Sequence, residues 1–174
     1  MATAGGYYAP TGSTIQTACS PGTVAPNVSM ATCDRCAPGT YQPDAGKQTC
    51  VACEPGSYCP EGASAPLPCE AGSYSDATNL TSADECIGTD AGHFAPTGST
   101  EQSPCSHGTV QPWSKQPKCD NCAAGKFMNE SGQIKCHECV PGSYCPEGAS
   151  APLPCSEGTY FNMTDLGSAA DCTG

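Results

Sequence analysis

The apolar positions of this chain follow no helical period, and no window alternates long enough for an ordinary strand. What recurs is a triplet of glycine, any residue, and a large apolar residue. In the first half it appears as Gly6-Tyr7-Tyr8, Gly22-Thr23-Val24, Gly39-Thr40-Tyr41, Gly56-Ser57-Tyr58 and Gly72-Ser73-Tyr74. In the second half it is Gly92-His93-Phe94, Gly108-Thr109-Val110, Gly125-Lys126-Phe127, Gly142-Ser143-Tyr144 and Gly158-Thr159-Tyr160. The glycines are 16, 17, 17, 16 and 20 residues apart before the pattern restarts. Glycine supplies a backbone turn that other residues resist. The apolar residue two positions on faces one side of a short extended segment. A turn rich in Pro, Gly, Ser and Asn follows, as in Gln42-Pro43-Asp44-Ala45-Gly46, and then a second short strand. Each module therefore predicts a small irregular β-hairpin, with the aromatic ring as the nearest thing to a core. A single helical turn is expected at Ser82–Glu85 and at Ser168–Asp171, and no longer helix anywhere.

The cysteines obey a longer period. Cys19, Cys33, Cys36, Cys50, Cys53, Cys59, Cys69 and Cys86 recur 86 positions later as Cys105, Cys119, Cys122, Cys136, Cys139, Cys145, Cys155 and Cys172. The chain therefore divides into two cysteine-rich repeats, 1–88 and 89–174, each with five glycine-apolar modules and eight cysteines. A fixed internal period is the mark of a repeat array, in which each piece leans on its neighbours. The expected fold is small, disulfide-rich and mostly irregular with short β-hairpins: an elongated tandem-repeat rod without a single hydrophobic core. The repeat register is already running at Met1, and Gly174 matches Gly88, so a segment of a longer array is expected.

Spacing also suggests the pairing. Cys19–Cys33 and Cys36–Cys50 close loops of equal span, with counterparts Cys105–Cys119 and Cys122–Cys136. The other four of each repeat admit two solutions. One is Cys53–Cys69 with Cys59–Cys86, repeated as Cys139–Cys155 with Cys145–Cys172. The other is Cys53–Cys59 with Cys69–Cys86. The interlocked first solution is favoured here, because it keeps the opening and closing cysteines of the Gly56 module together.

Composition changes the picture in one respect. With 20 glycines and 17 prolines in 174 residues and only 6% aromatic, the chain buries too little apolar surface to offset the entropy of ordering its loops. Cross-links have to supply the rest. An even cysteine count allows complete pairing, and persistent disulfides imply an oxidising, extracellular or cell-surface location. Four N-glycosylation triplets agree with that compartment, at Asn27, Asn79, Asn129 and Asn162, so covalent N-linked glycans are expected and no other cofactor. The net charge of −11, with only six Lys and Arg, excludes nucleic acid and anionic membrane surfaces as partners. No apolar run is long enough for direct membrane insertion.

Cys-x-x-Gly-x-Tyr with a closing cysteine fourteen positions after the first, chained through Cys-x-x-Cys, resembles the ephrin-receptor-like cysteine-rich repeat, a module of the tumour-necrosis-factor-receptor type. The run PGSYCPEGASAPLPC, identical at Pro55–Cys69 and Pro141–Cys155, looks like the most distinctive segment of that family. The resemblance implies a modular extracellular role. It names no activity, because the family occurs in receptors, secreted matrix proteins, surface antigens of single-celled eukaryotes and mastigoneme-type flagellar filaments.

Chemistry is sparse. Cys33-x2-Cys36-x13-Cys50-x2-Cys53 has nearly the form of a zinc site, but four further cysteines per repeat and the glycosylation triplets favour disulfides over metal. His93, His107 and His137 lie only in the second repeat, opposite Tyr7, Pro21 and Val51, which argues against a repeated catalytic or metal role. No nucleophile elbow or phosphate loop is present. The sole tryptophan, Trp113, replaces the glycosylatable Asn27 and is expected to pack along its own hairpin. No catalytic and no metal-binding residue is assigned, and an enzyme is not expected. Two function classes remain. The first is a structural glycoprotein whose stapled repeats form a stalk or polymeric filament with copies of itself or with neighbouring repeats of a longer chain. The second is a ligand-binding receptor ectodomain.

Overall fold

The computed structural model describes residues 2–159 and 162–173. It is built from antiparallel two-stranded hairpins, each strand only two residues long, with two short 3-10 turns and no longer helix among the described residues. Each of the nine hairpins described begins at a glycine-apolar triplet. Tyr7–Tyr8 pairs with Thr17–Ala18, Thr23–Val24 with Asp34–Arg35, Thr40–Tyr41 with Val51–Ala52, and Ser57–Tyr58 with Leu67–Pro68. Ser73–Tyr74 pairs with Ile87–Gly88, and His93–Phe94 with Ser103–Pro104. Thr109–Val110, Lys126–Phe127 and Ser143–Tyr144 pair with Asp120–Asn121, His137–Glu138 and Leu153–Pro154. The triplet beginning at Gly158 runs into residues outside those described. The expected helical turns are the 3-10 turns Ala83–Glu85 and Ala169–Asp171, entered from Ser82 and Ser168.

Two turn lengths explain the uneven glycine spacing. In one class of hairpin the register spans eleven positions, as in Tyr7 opposite Ala18, Ser57 opposite Pro68, His93 opposite Pro104 and Ser143 opposite Pro154. These four share Ala or Cys, then Pro, then Thr or Glu, then Gly: Ala9-Pro10-Thr11-Gly12, Cys59-Pro60-Glu61-Gly62, Ala95-Pro96-Thr97-Gly98 and Cys145-Pro146-Glu147-Gly148. In the other class the span is twelve, as in Thr23 opposite Arg35 and Thr40 opposite Ala52. The module starting at Gly72 is longer still, because it accommodates the 3-10 turn.

Two-stranded hairpins are marginal in water on their own, so what surrounds them matters. The chain forms two compact bodies, Met1–Glu70 with Tyr74–Ile87 and Gly98–Thr100, and Ala71–Ser73 with Gly88–Thr97 and Glu101–Gly174. In the first, successive modules are joined by a recurring set of backbone hydrogen bonds. The glycine N–H of one module donates to the carbonyl of the residue three past the glycine of the next. Gly6 bonds Ala25, Gly22 bonds Gln42, Gly39 bonds Cys59 and Gly56 bonds Ser75, at 2.7–2.8 Å. That receiving residue passes its own N–H onward, Ala25 to Lys47, Gln42 to Ala63, Cys59 to Leu80 and Ser75 to Ser99. A third bond runs backwards to the opening residue, from Gly46 to Cys19, Gly62 to Cys36, Asn79 to Cys53 and Gly98 to Cys69. The second body repeats the first bond of the set at Gly72–Ala95, Gly92–Gln111, Gly108–Met128 and Gly125–Cys145.

These bonds place the interior one residue beyond the aromatic. The rings of Tyr8, Tyr41, Tyr58, Tyr74, Phe94, Phe127 and Tyr144 are only half-buried. Ala25, Gln42, Cys59, Ser75, Ala95, Gln111, Met128 and Cys145, each three residues after its glycine, are buried. So are the residues three before it: Thr3, Cys19, Cys36, Cys53, Cys69, Thr89, Cys105, Cys122 and Cys139. The expectation that the aromatic is the core is corrected accordingly. The two-residue strands are too short to cover the ring, whereas the backbone bonds press the following residue against the next module. Gln42 and Gln111 remain tolerable there because each is satisfied: their Nε2 groups donate to the carbonyls of Thr49 and Lys118 at 2.7 and 2.9 Å, and their Oε1 atoms accept from the amides of Asp44 and Trp113.

All sixteen cysteines are paired. Cys19–Cys33, Cys36–Cys50, Cys105–Cys119 and Cys122–Cys136 each join the opening and closing positions of one module. The interlocked solution for the other eight is wrong. The structure joins Cys53–Cys59 and Cys69–Cys86, and likewise Cys139–Cys145 and Cys155–Cys172, rather than Cys53–Cys69, Cys59–Cys86, Cys139–Cys155 and Cys145–Cys172. The reason is geometric. Cys59 occupies the buried position three past Gly56, so the Gly56 turn folds it back beside Cys53, with Cα atoms 5.9 Å apart. Cys69 does not close the Gly56 module but opens the Gly72 module, and Cys86 is its closing partner.

Where a short-turn module has no cysteine to open it, hydrogen bonds take over the closing position. Gln102 Oε1 accepts from the amide of Asp90 at 2.8 Å while its Nε2 donates to the Asp90 carboxylate at 2.8 Å. Gln16 Oε1 accepts from the amide of Ala4 at 2.9 Å in the same way.

Candidate functional site

With no substrate-like constellation in the sequence, the groups to locate are the four glycosylation asparagines, the histidines, the tryptophan and the carboxylates. Asn27, Asn79, Asn129 and Asn162 are all exposed, each on the loop between the two halves of a module and each inside a disulfide loop. Their backbones differ. Several loops reach a left-handed residue that donates its N–H to the opening residue of the preceding module. Glycine serves at Gly46, Gly62 and Gly98, whereas Ser29 (φ 63°), Asn79 (φ 63°) and Lys115 (φ 58°) adopt it without that freedom. Asn79 is itself this residue. Asn27 precedes Ser29 by two positions, and Asn129 precedes Gly132 by three.

The Cys-x-x-Cys pairs do not converge on a metal. Cys33, Cys36, Cys50 and Cys53 are bonded to Cys19, Cys50, Cys36 and Cys59. Among the described residues no group of three His, Cys, Asp or Glu is placed to hold an ion. His93 is half-buried with Nδ1 3.3 Å from the Ala91 carbonyl oxygen, His107 is exposed, and the His137 ring lies 5.7 Å from that of Phe127 across its hairpin. The three do not form one cluster. Trp113 does not pack along its hairpin as expected; it is 71% exposed, because the buried position of its module is taken by Gln111. Among the described residues no helix is long and apolar enough to cross a membrane.

Two titratable groups are tied into the architecture. The Tyr41 hydroxyl donates to Glu54 at 3.1 Å, and this bond, with the adjacent carboxylate charge, raises the tyrosine above its ordinary range. At the start of the 3-10 turn the Glu85 carboxylate accepts from the Thr81 hydroxyl, from the Thr81 amide at 2.9 Å and from the Ser82 amide at 3.1 Å. The Thr81 hydroxyl contributes most, and the set holds Glu85 below the ordinary glutamate range. In the second repeat Asp171 does the same job for the amides of Gly167 and Ser168, at 3.1 and 2.8 Å.

A carboxylate whose folded pKa is depressed contributes stability that is present above its unfolded value and lost as pH falls through the folded one. Acidification below the ordinary glutamate range is therefore expected to loosen Thr81 and Ser82 before the disulfide-closed hairpins. Amide hydrogen exchange against pH checks this, and Glu85→Gln should remove the pH dependence at those two amides. Unchanged protection of Thr81 and Ser82 down to full carboxylate protonation would contradict it.

No family model and no curated protein matches the chain. What stands is the description from its own geometry: sixteen cysteines in eight disulfides, in small antiparallel hairpins. Disulfides in this number persist in an oxidising environment.

Proposed function

We propose that this chain is an extracellular structural glycoprotein, or part of one, whose disulfide-stapled modules form a stalk or polymeric filament. The observation that carries this reading is the sameness of the contact between consecutive modules within each body. The bond from Gly22 to Gln42 recurs from Gly39 to Cys59, and from Gly108 to Met128, with side chains as different as an amide, a cystine and a thioether at the receiving position. A contact made by backbone alone is available to any further module or copy, and its repetition is the head-to-tail operation that builds open arrays. The acidic surface and the exposed asparagines suit a sugar-coated, soluble exterior. The resemblance to ephrin-receptor-like repeats, including those of mastigoneme-type filaments, agrees with this role and leaves copies of itself or neighbouring repeats as the partners.

Native material viewed in negative stain is expected to show filaments or stalks rather than separate particles. Material that stayed monomeric at high concentration yet bound one soluble protein tightly would favour the second reading, a ligand-binding receptor ectodomain. The exposed indole of Trp113 is the specific feature that favours that alternative, since tryptophan is enriched at binding hot spots.

A further inference from the structure

One of the four glycosylation triplets is unlike the others. A transferase that reads Asn-x-Ser/Thr has to reach the asparagine carboxamide and the hydroxyl of the third residue together. In Asn27-Val28-Ser29, Asn129-Glu130-Ser131 and Asn162-Met163-Thr164 all three residues are exposed, with Val28 at 66% and Met163 at 63%. In Asn79-Leu80-Thr81 the middle residue is 4% exposed, and its carbonyl accepts from the amide of Cys59 at 2.9 Å. The Asn79 amide donates to the Cys53 carbonyl at 3.0 Å, and Asn79 is held left-handed at φ 63°. The Thr81 hydroxyl is occupied by the Glu85 carboxylate, which also takes the Thr81 amide. The triplet is thus fastened at all three residues, and the Cys69–Cys86 bond encloses it.

The second repeat shows the contrast. The counterpart of Asn79-Leu80 is Asp165-Leu166, with Asp165 at φ 71°, Leu166 buried and its carbonyl accepting from the amide of Cys145 at 2.8 Å. There the acceptor asparagine, Asn162, stands three residues earlier, off the fastened stretch.

We propose that Asn79 accepts its glycan only before the Cys69–Cys86 loop closes, so that disulfide formation and sugar transfer compete at this triplet and not at Asn27, Asn129 or Asn162. The proposal rests on the glycoprotein reading above. In the transfer the Asn79 carboxamide nitrogen attacks the anomeric carbon of an oligosaccharide carried on a lipid diphosphate. The carbon–nitrogen bond forms, the bond from that carbon to the diphosphate oxygen breaks, lipid diphosphate leaves, and the amide proton passes to a base. Once the loop has closed, Asn79 and Thr81 are still exposed. The fastened backbone and the Glu85 carboxylate on the Thr81 hydroxyl nevertheless keep the carboxamide and hydroxyl from turning together into the enzyme.

The test uses the full chain made without sugar, oxidised and folded, then treated with purified oligosaccharyl transferase and its lipid-linked oligosaccharide, with occupancy read by glycopeptide mass spectrometry. The expected result is transfer to Asn27, Asn129 and Asn162 with loss at Asn79, and recovery of Asn79 when the same chain is reduced first. A second variant, Asp76→Asn with Asn79→Gln, makes an acceptor triplet with Ala77 and Thr78 at the counterpart of Asn162, where all three positions are exposed. That triplet is expected to be filled in the oxidised chain. Asn79 filled as readily as the other three in the oxidised chain would overturn the proposal, as would refusal of Asn79 by the reduced chain or refusal of the Asp76→Asn triplet by the oxidised one. Refusal of all four native sites in both states would instead overturn the glycoprotein reading, and the proposal with it.

Discussion

Strong reductant is expected to unfold this chain completely, and a chelator to leave it intact. Each loop of the Cys19–Cys33 kind, with a separation of 14, contributes roughly 3 kcal/mol in the chain-entropy model. Eight loops then contribute on the order of 20 kcal/mol, more than the roughly 5–15 kcal/mol net stability of a typical domain. The hairpins cannot make up the difference, because their strands are two residues long and their aromatic rings half-exposed. Circular dichroism with and without reductant measures the effect, and a retained spectrum in the reduced state would refute it. The pairing itself can be read by cleavage. Glu61 is exposed and lies between Cys59 and Cys69. Cutting after it in the oxidised protein should give two chains that separate in denaturant without reductant, since no bridge spans that point. Fragments that stayed linked would restore the interlocked pairing.

The second large effect is expected at the glycines that lie against the backbone of the module after next. Gly22 has φ +81°, and a methyl group there would lie 2.2 Å from the Gly62 carbonyl oxygen. Gly22→Ala therefore adds left-handed strain of about 1–2 kcal/mol to a backbone clash costing about 1–3 kcal/mol or more. Gly62→Ala is the control. Its φ is +72°, but the nearest atom is a flexible Arg35 side-chain carbon at 3.6 Å, so only the strain remains. The melting point should fall far more for Gly22→Ala than for Gly62→Ala. Equal shifts would mean that conformational strain alone, and not the approach of the Gly62 turn two modules on, explains the glycine.

The hairpins were legible because their signal is a backbone requirement. Glycine at the head of each triplet has few substitutes, and it recurs in register. The 3-10 turns were legible from Ser82 and Glu85, a serine followed three residues later by a carboxylate. The buried column was not, because Ala25, Gln42, Cys59, Ser75 and Met128 share no chemistry; what unites them is a carbonyl receiving the previous glycine's N–H. That concealment misled the pairing, since Cys59 looks like an extra cysteine until it is seen to occupy the same place as Ala25. A signal was present even so: Cys69 stands three residues before Gly72, as Cys19 stands before Gly22. The left-handed residues Ser29, Asn79 and Lys115 were hidden likewise, alternating in one structural position with Gly46, Gly62 and Gly98. The difference between Asn79 and the other acceptor asparagines could not be read from a triplet that is formally identical in all four.

Every bridge begins and ends inside one module, from Cys19–Cys33 through Cys53–Cys59 to Cys155–Cys172. During synthesis each module can therefore complete its covalent closure as soon as its own last cysteine emerges, without waiting for a distant partner. The same arrangement bears on inheritance. Duplication or loss of whole modules leaves no orphan thiol and no rewired pairing, so the gene can lengthen or shorten the array by recombination at no cost to oxidative folding.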